Sequence, residues 1–256
     1  RELSPKSKVM VVLLDLSTLH DFAAAQTNDS TNISKSLQNY IVRLNTIMKE
    51  NKLPPEIHVL INNAGVSSRG LALHTSHSVL QSVMNVNFFG PVALTKAVLH
   101  EFMTSSRGSL SASGKPVGAI GVISSVQGRL GISERTSYAA SKHALQGYFD
   151  CLRCELSSVS GNSGDDDMSV TVISPGYIAT SLSLNAITST GKAYGKTDET
   201  TANGYSPSYA ARQSLLAIAR REVDYILADA KVQVAIQARG QLPELLAKKL
   251  ANRSKK

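Results

Sequence analysis

Cysteine, aromatic and charged residues are all scarce in this 256-residue chain, at two cysteines, 5% aromatic and 18% charged. Two cysteines cannot build a disulfide framework, so the fold must rest on a buried core. With 42% hydrophobic residues, a chain of this length can bury one. The low charge density, and the lack of any repeat of ~20–50 residues, exclude an extended helical array and an acidic, solvating chain. The longest uninterrupted aliphatic run, Val9 to Leu14, is far short of the ~20 residues a membrane helix needs. The first residues, Arg1-Glu2-Leu3, lack the basic and apolar regions of a signal peptide.

What is present is a formal charge of +8, and its distribution decides its meaning. Residues 231–256 carry seven Lys or Arg against the single acid Glu244, so +6 of the +8 lies there. The remaining 230 residues are nearly neutral and show no basic stripe that could follow phosphates, so a nucleic-acid partner is not expected. The chain is read as one α/β domain over 1–230 followed by a basic tail with a short helix over 231–256. Cys151 and Cys154 form a C-x-x-C, yet they follow more than ten residues of helical pattern. A redox pair needs its first thiol at a helix N-terminus, and zinc needs two further ligands. The expectation is two reduced thiols on a buried helix face and no metal site.

The hydrophobic pattern alternates between strands and helices. Val9–Leu14 reads as a strand buried on both faces, and Ile57–Ile61, 119–124, 169–174 and 224–228 read as further strands. Amphipathic helices are expected from Ile33, over Ser76–Met103, over Ser137–Ser158, at Pro207–Arg220 and at 245–251. Strands separated by helices imply β-α-β units and a parallel sheet covered on both faces. In such sheets the ligand lies at the carboxyl ends of the strands. That rule singles out Asp15, the run Asn62-Asn63-Ala64-Gly65, Ser124-Ser125 and Pro175-Gly176.

Tyr138 and Lys142 are four residues apart on a helix, hence neighbours on one face. A cation ~4 Å from a phenol is worth about 4 kcal/mol at an effective dielectric of ~20, roughly three pKa units. That interaction is expected to bring Tyr138 down toward the working range of a general acid-base. Ser125, at a strand end, supplies a hydrogen-bond donor for a carbonyl oxygen.

Taken in order and spacing, these residues resemble the short-chain dehydrogenase/reductase superfamily from Val9 to about Ala228. The resemblance rests on Asp15-Leu16, Asn62 to Gly65, Asn87, Ser125, Tyr138-x-x-x-Lys142, and Pro175-Gly176 with Thr180. It implies a Rossmann-like doubly wound sheet and an NAD(P)-dependent oxidoreductase acting on a lipid-like carbonyl or alcohol, with NADP favoured. Tyr138 would exchange a proton with the substrate oxygen, Lys142 would lower its pKa and hold the nicotinamide ribose, and Ser125 would bind and polarise the substrate carbonyl. Asn87 would hold a relay water. Pro91 has no N–H to give to the Asn87 carbonyl, which would leave that oxygen free. Asp15, Leu16, Asn63, Ala64, Gly65, Pro175, Gly176, Ile178 and Thr180 would line the cofactor, with 181–206 as a lid over the substrate.

The family opens on a strand and a Gly-rich T-G-x-x-x-G-x-G turn that cradles a pyrophosphate on a helix N-terminus. No such turn follows a strand here, so the resemblance also predicts an N-terminally truncated domain lacking two β-α units. It further implies a homodimer, and membrane association at the endoplasmic reticulum or peroxisome through an N-terminal anchor. The competing expectation is a non-catalytic interaction protein without a competent cofactor site.

Overall fold

The computed structural model describes residues 57–104, 118–160 and 168–253, with Val42, Thr46, Lys49 and Glu50. The strand expected at Val9–Leu14, the strand-end pair Asp15-Leu16 and the loop at 105–115 lie outside the described residues. So does most of the helix expected from Ile33.

The main sheet is parallel throughout. Its strands are β1 (Val59–Asn62), β3 (Ala119–Ile123), β4 (Ser169–Pro175) and β6 (Asp224–Leu227), side by side in that order. A second, two-stranded parallel sheet joins β2 (Ser68–Arg69) to β5 (Ile187–Thr188). The helices are α1 (His77–Met84), α2 (Gly90–Thr104), α3 (Thr136–Ser160), α4 (Glu199–Ala202), α5 (Pro207–Ala219), α6 (Ala230–Gln241) and α7 (Pro243–Arg253). This is the parallel sheet with covering helices that the alternating pattern predicts, in the Rossmann-like arrangement that the family resemblance implies. Among the described residues, no helix is long and apolar enough to cross a membrane.

One face of the sheet is sealed by α3. Leu145, Phe149, Leu152 and Leu156 recur every three or four residues and pack on Ile120, Val122, Val170 and Val172, alternate positions of β3 and β4. Cys151 and Cys154 fall off that stripe. Both are exposed, contrary to the expected buried face. On the other face, α5 comes so close that a Cβ at Gly121 would sit 2.3 Å from Ile218 Cδ1. β1 and β6 are the outer strands of the described sheet, and on β1 Val59 and Ile61 are exposed.

Two helical expectations are corrected. The single helix expected over Ser76–Met103 is interrupted by a π-helical turn at Asn85–Phe89, where the Gly90 N–H bonds five residues back to the Asn85 carbonyl. Pro91, which cannot donate, lies just beyond this wider turn; such turns often mark functional positions. The basic C-terminal stretch holds two helices, α6 as well as α7. Asp229 caps α6 by accepting the Val232 N–H at 2.9 Å, and Arg239 donates to the Arg129 carbonyl and meets His143 Nε2.

Candidate functional site

The parallel sheet brings the carboxyl ends of β1, β3 and β4 to one edge, and most of the described site residues lie there. Asn62 ends β1 and donates to Thr95 Oγ1 at 2.8 Å, which fixes the turn that follows. In that turn Asn63 and Ala64 are exposed and Gly65 is half-buried. Asn87, fully buried in the π-helical turn, clamps the same turn. Its Oδ1 accepts the Val66 N–H at 2.8 Å, and its Nδ2 donates to the Val66 carbonyl and to Ser141 Oγ, each at 2.9 Å.

Ser125 follows β3 in extended backbone and caps a short 3-10 turn over Val126–Gly128, accepting the Gln127 N–H at 3.1 Å. Its hydroxyl also reaches the Pro175 carbonyl at the end of β4, at 3.5 Å. Tyr138 and Lys142 sit in the first two turns of α3, both buried. The Lys142 ammonium donates to the Ile123 carbonyl at 2.9 Å and stands 5.8 Å from the centre of the Tyr138 ring. Gly176, just past β4, donates to the Leu227 carbonyl at 2.9 Å, while Ile178 is half-buried and Thr180 exposed. Asp15 and Leu16 lie outside the described residues.

Electrostatics overturns one expectation. Burial pushes the Tyr138 hydroxyl above its ordinary pKa; a hydrogen bond with Ser125 and the charges of Arg69 and Arg135 oppose that rise without cancelling it. Lys142 is not the cation that counters the burial. Burial instead lowers Lys142 itself to about 8, because a dry site disfavours the charged form of each group. The relevant arginines carried no spacing signal. Arg69, Arg135 and their shared partner Asp198 are scattered along the chain, and only the fold brings them beside Tyr138.

A pH dependence follows. Lys142 binds its proton more weakly in the folded protein than in the unfolded chain, so unfolding takes up a proton between about 8 and the ordinary 10.5. Stability should therefore rise with pH across that window by up to about 3 kcal/mol, the equivalent of the shift. Urea midpoints measured between pH 7 and the ordinary tyrosine range (about 10) should climb, and Lys142→Met should flatten the climb. A wild-type slope that survives in Lys142→Met would disprove this account.

The arrangement can orient an oxygen at Ser125, exchange a proton through Tyr138 and hold a hydroxyl-rich ligand at Lys142. Lys142 has three N–H donors and, among the described residues, one hydrogen-bond acceptor, Ile123. An added Cβ at Gly65 would come within 3.5 Å of its nitrogen and 3.4 Å of Asn87 Oδ1. The missing side chain thus leaves room against an ammonium and an amide.

Residues 21–190 match the family model described as short chain dehydrogenase. Dehydrogenase/reductase SDR family member 7B of Bos taurus is 45% identical over 200 residues, covering 78% of this chain and 56% of that protein. The chain thus spans little more than half the length of that relative. Among solved structures, a short chain dehydrogenase from Burkholderia cenocepacia in complex with NADP gives a TM-score of 0.59 at 22% identity, over 86% of this chain and 75% of that one. A short chain dehydrogenase/reductase from Burkholderia phymatum in complex with NAD gives 0.62 at 16% identity, over 84% of this chain and 75% of that one. These two likenesses concern the fold.

Proposed function

The chain belongs to the short-chain dehydrogenase family, and from that premise we propose that the protein is an NAD(P)-dependent oxidoreductase interconverting a carbonyl and an alcohol on a lipid-like substrate. The observation that carries this reading is the meeting of Ser125, Tyr138 and Lys142 at one edge of the sheet, with Tyr138 and Lys142 both buried and the ammonium 5.8 Å from the centre of the phenol ring.

Either NADP or NAD suits the residues present, with NADP favoured by the family resemblance. Lys142 would hold the ribose hydroxyls with the donors that Ile123 leaves over, and Gly65 provides the close approach beside it. Asn63, Ala64, Pro175, Gly176, Ile178 and Thr180 would line the remaining contact. When bound, the nicotinamide supplies or takes up the hydride.

In the reducing direction, Ser125 donates a hydrogen bond to the substrate carbonyl and keeps that oxygen near Tyr138. As negative charge develops on the oxygen, the Tyr138 hydroxyl gives it a proton. Burial favours the protonated phenol, so the acid is in place at neutral pH. Asn87 holds the turn at Val66 and its carbonyl would carry a relay water that restores the Tyr138 proton. A lipid-like substrate is supported by the exposed Leu182 and Leu184 on the segment 181–206. The same reading extends to a homodimer built on α2 and α3, and to an N-terminal anchor at the endoplasmic reticulum or peroxisome.

The test is a titration of the full-length protein with NADPH and NADH, followed by nicotinamide fluorescence. Saturable binding of one or both is expected, weakened about tenfold in Lys142→Met, the scale of one lost charge-assisted hydrogen bond. Failure to bind either dinucleotide would remove the reading.

A further inference from the structure

The least exposed ion pairs among the described residues join Asp198 to Arg69 and Arg135, two cations whose charge acts on Tyr138. Asp198 belongs to the segment 181–206, Arg69 to β2 and Arg135 to the turn before α3. Asp198 Oδ2 accepts from Arg69 Nη2 at 2.6 Å, Arg69 Nε at 3.2 Å, Arg135 Nη2 at 3.1 Å and Ser183 Oγ at 3.3 Å. Oδ1 accepts from the Tyr194 hydroxyl at 3.3 Å. The three charged side chains are only 9% (Arg69), 14% (Arg135) and 17% (Asp198) exposed.

Two guanidiniums on one carboxylate leave a net charge of +1 in a largely dry site. Holding a segment down needs only one arginine. Arg69 suffices for that: it also donates to Ser67 Oγ, the Ser68 carbonyl and Ser183 Oγ, and its own strand pairs with β5 of the same segment. Arg135 is the surplus charge. Among the described residues its one side-chain hydrogen bond is to Asp198, and burial together with the charge of Arg69 lowers its pKa. A cost of that kind calls for a function.

We propose that Arg69, Asp198 and Arg135 form a charge latch that docks the segment 181–206 beside Tyr138 and, through the surplus cation Arg135, places net positive charge against the Tyr138 hydroxyl. Asp198 and Arg135 are then positioning residues for the acid-base step, an inference that rests on Tyr138 being that acid-base. The groups facing Tyr138 are Ser125 from the end of β3, Lys142 on α3, Arg69 from β2 and Arg135 from the turn before α3. Asp198 bonds both arginines and the Tyr194 hydroxyl, and Tyr177 and Tyr194 add their influence on Arg135. Both arginines favour the tyrosinate, and Asp198 opposes it.

This predicts shifts of opposite sign. Removing Arg135 takes away a cation and should raise the Tyr138 pKa; removing Asp198 takes away an anion and should lower it. The full-length protein, labelled at tyrosine Cζ, is titrated by NMR, with the Tyr138 signal identified by its loss in Tyr138→Phe. Arg135→Gln should move the titration up by about one pH unit and Asp198→Asn down by about as much, the scale of one charge at an effective dielectric near 20. Arg135→Lys should stay near the wild type. Hydrogen exchange across 181–206 should rise about tenfold or more in Asp198→Asn, since ~1.4 kcal/mol is one decade.

Shifts of the same sign, or none, overturn the electrostatic half; unchanged exchange overturns the latch. If Asp198→Asn does not fold, Arg135→Gln against Arg135→Lys still decides, because equal titrations in the two overturn the role of the charge. Neither readout depends on turnover. A protein that passes both while Tyr138→Phe keeps its activity would lose the acid-base reading and keep the latch.

Discussion

Replacing Tyr138 by Phe in the full-length protein is expected to lower kcat about 10²–10⁴-fold, the contribution of a positioned proton donor, with little change in KM. Stability should fall by no more than about 1 kcal/mol, because the ring stays buried and only one neutral hydrogen bond is lost. Ser125 keeps its contacts to Gln127 and Pro175. The direction of the reaction sharpens the expectation. Since burial raises the Tyr138 pKa, reduction should hold a plateau through neutral pH, whereas oxidation, which needs the tyrosinate, should gain rate as pH rises. A steady-state pH profile in both directions checks this. Retained turnover in Tyr138→Phe would end the assignment.

Phe149→Ala should cost about 3–5 kcal/mol, the usual range for emptying a large aromatic site. That is a large share of the ~5–15 kcal/mol by which a domain of this kind is stable. Phe149, on α3, is wholly buried against β3 and β4, and its ring meets Tyr148 edge-on at 5.2 Å. The same helix carries Tyr138 and Lys142 in its first turns, so a loosened α3 should also blur the site. Phe149→Leu, which refills most of the volume, should cost less. Urea unfolding of both variants measures the difference, and a loss below about 1 kcal/mol in Phe149→Ala would mean that this face of α3 is not the core.

The stripe Leu145, Phe149, Leu152 and Leu156 was readable in the sequence because helix periodicity is a local property. The same spacing leaves Cys151 and Cys154 off the stripe, in keeping with their exposure. Asn62, Ser125 and Pro175 could be located for a similar reason. Each ends a short apolar run, and a parallel sheet carries all such ends to one edge. The interruption at Asn85–Phe89 was harder to see: Pro91 announces a lost donor, and only the packed helix shows how the backbone accommodates it.

Sequence by itself determined the alternation of strands and helices, the family, and the i, i+4 pairing of Tyr138 with Lys142, because these depend on neighbours within a few residues. The tertiary structure decided the electrostatic character of the site. A one-dimensional spacing suggested that Lys142 would draw the Tyr138 pKa down, but it holds no information on how completely both groups leave water. Desolvation, which depends on everything packed around them, reverses the expected sign for Tyr138 and depresses Lys142. Arg69 and Asp198 are 129 positions apart and Arg135 and Asp198 are 63. No local rule links residues so distant, and it is the docking of 181–206 on the carboxyl edge of the sheet that makes them one charge cluster.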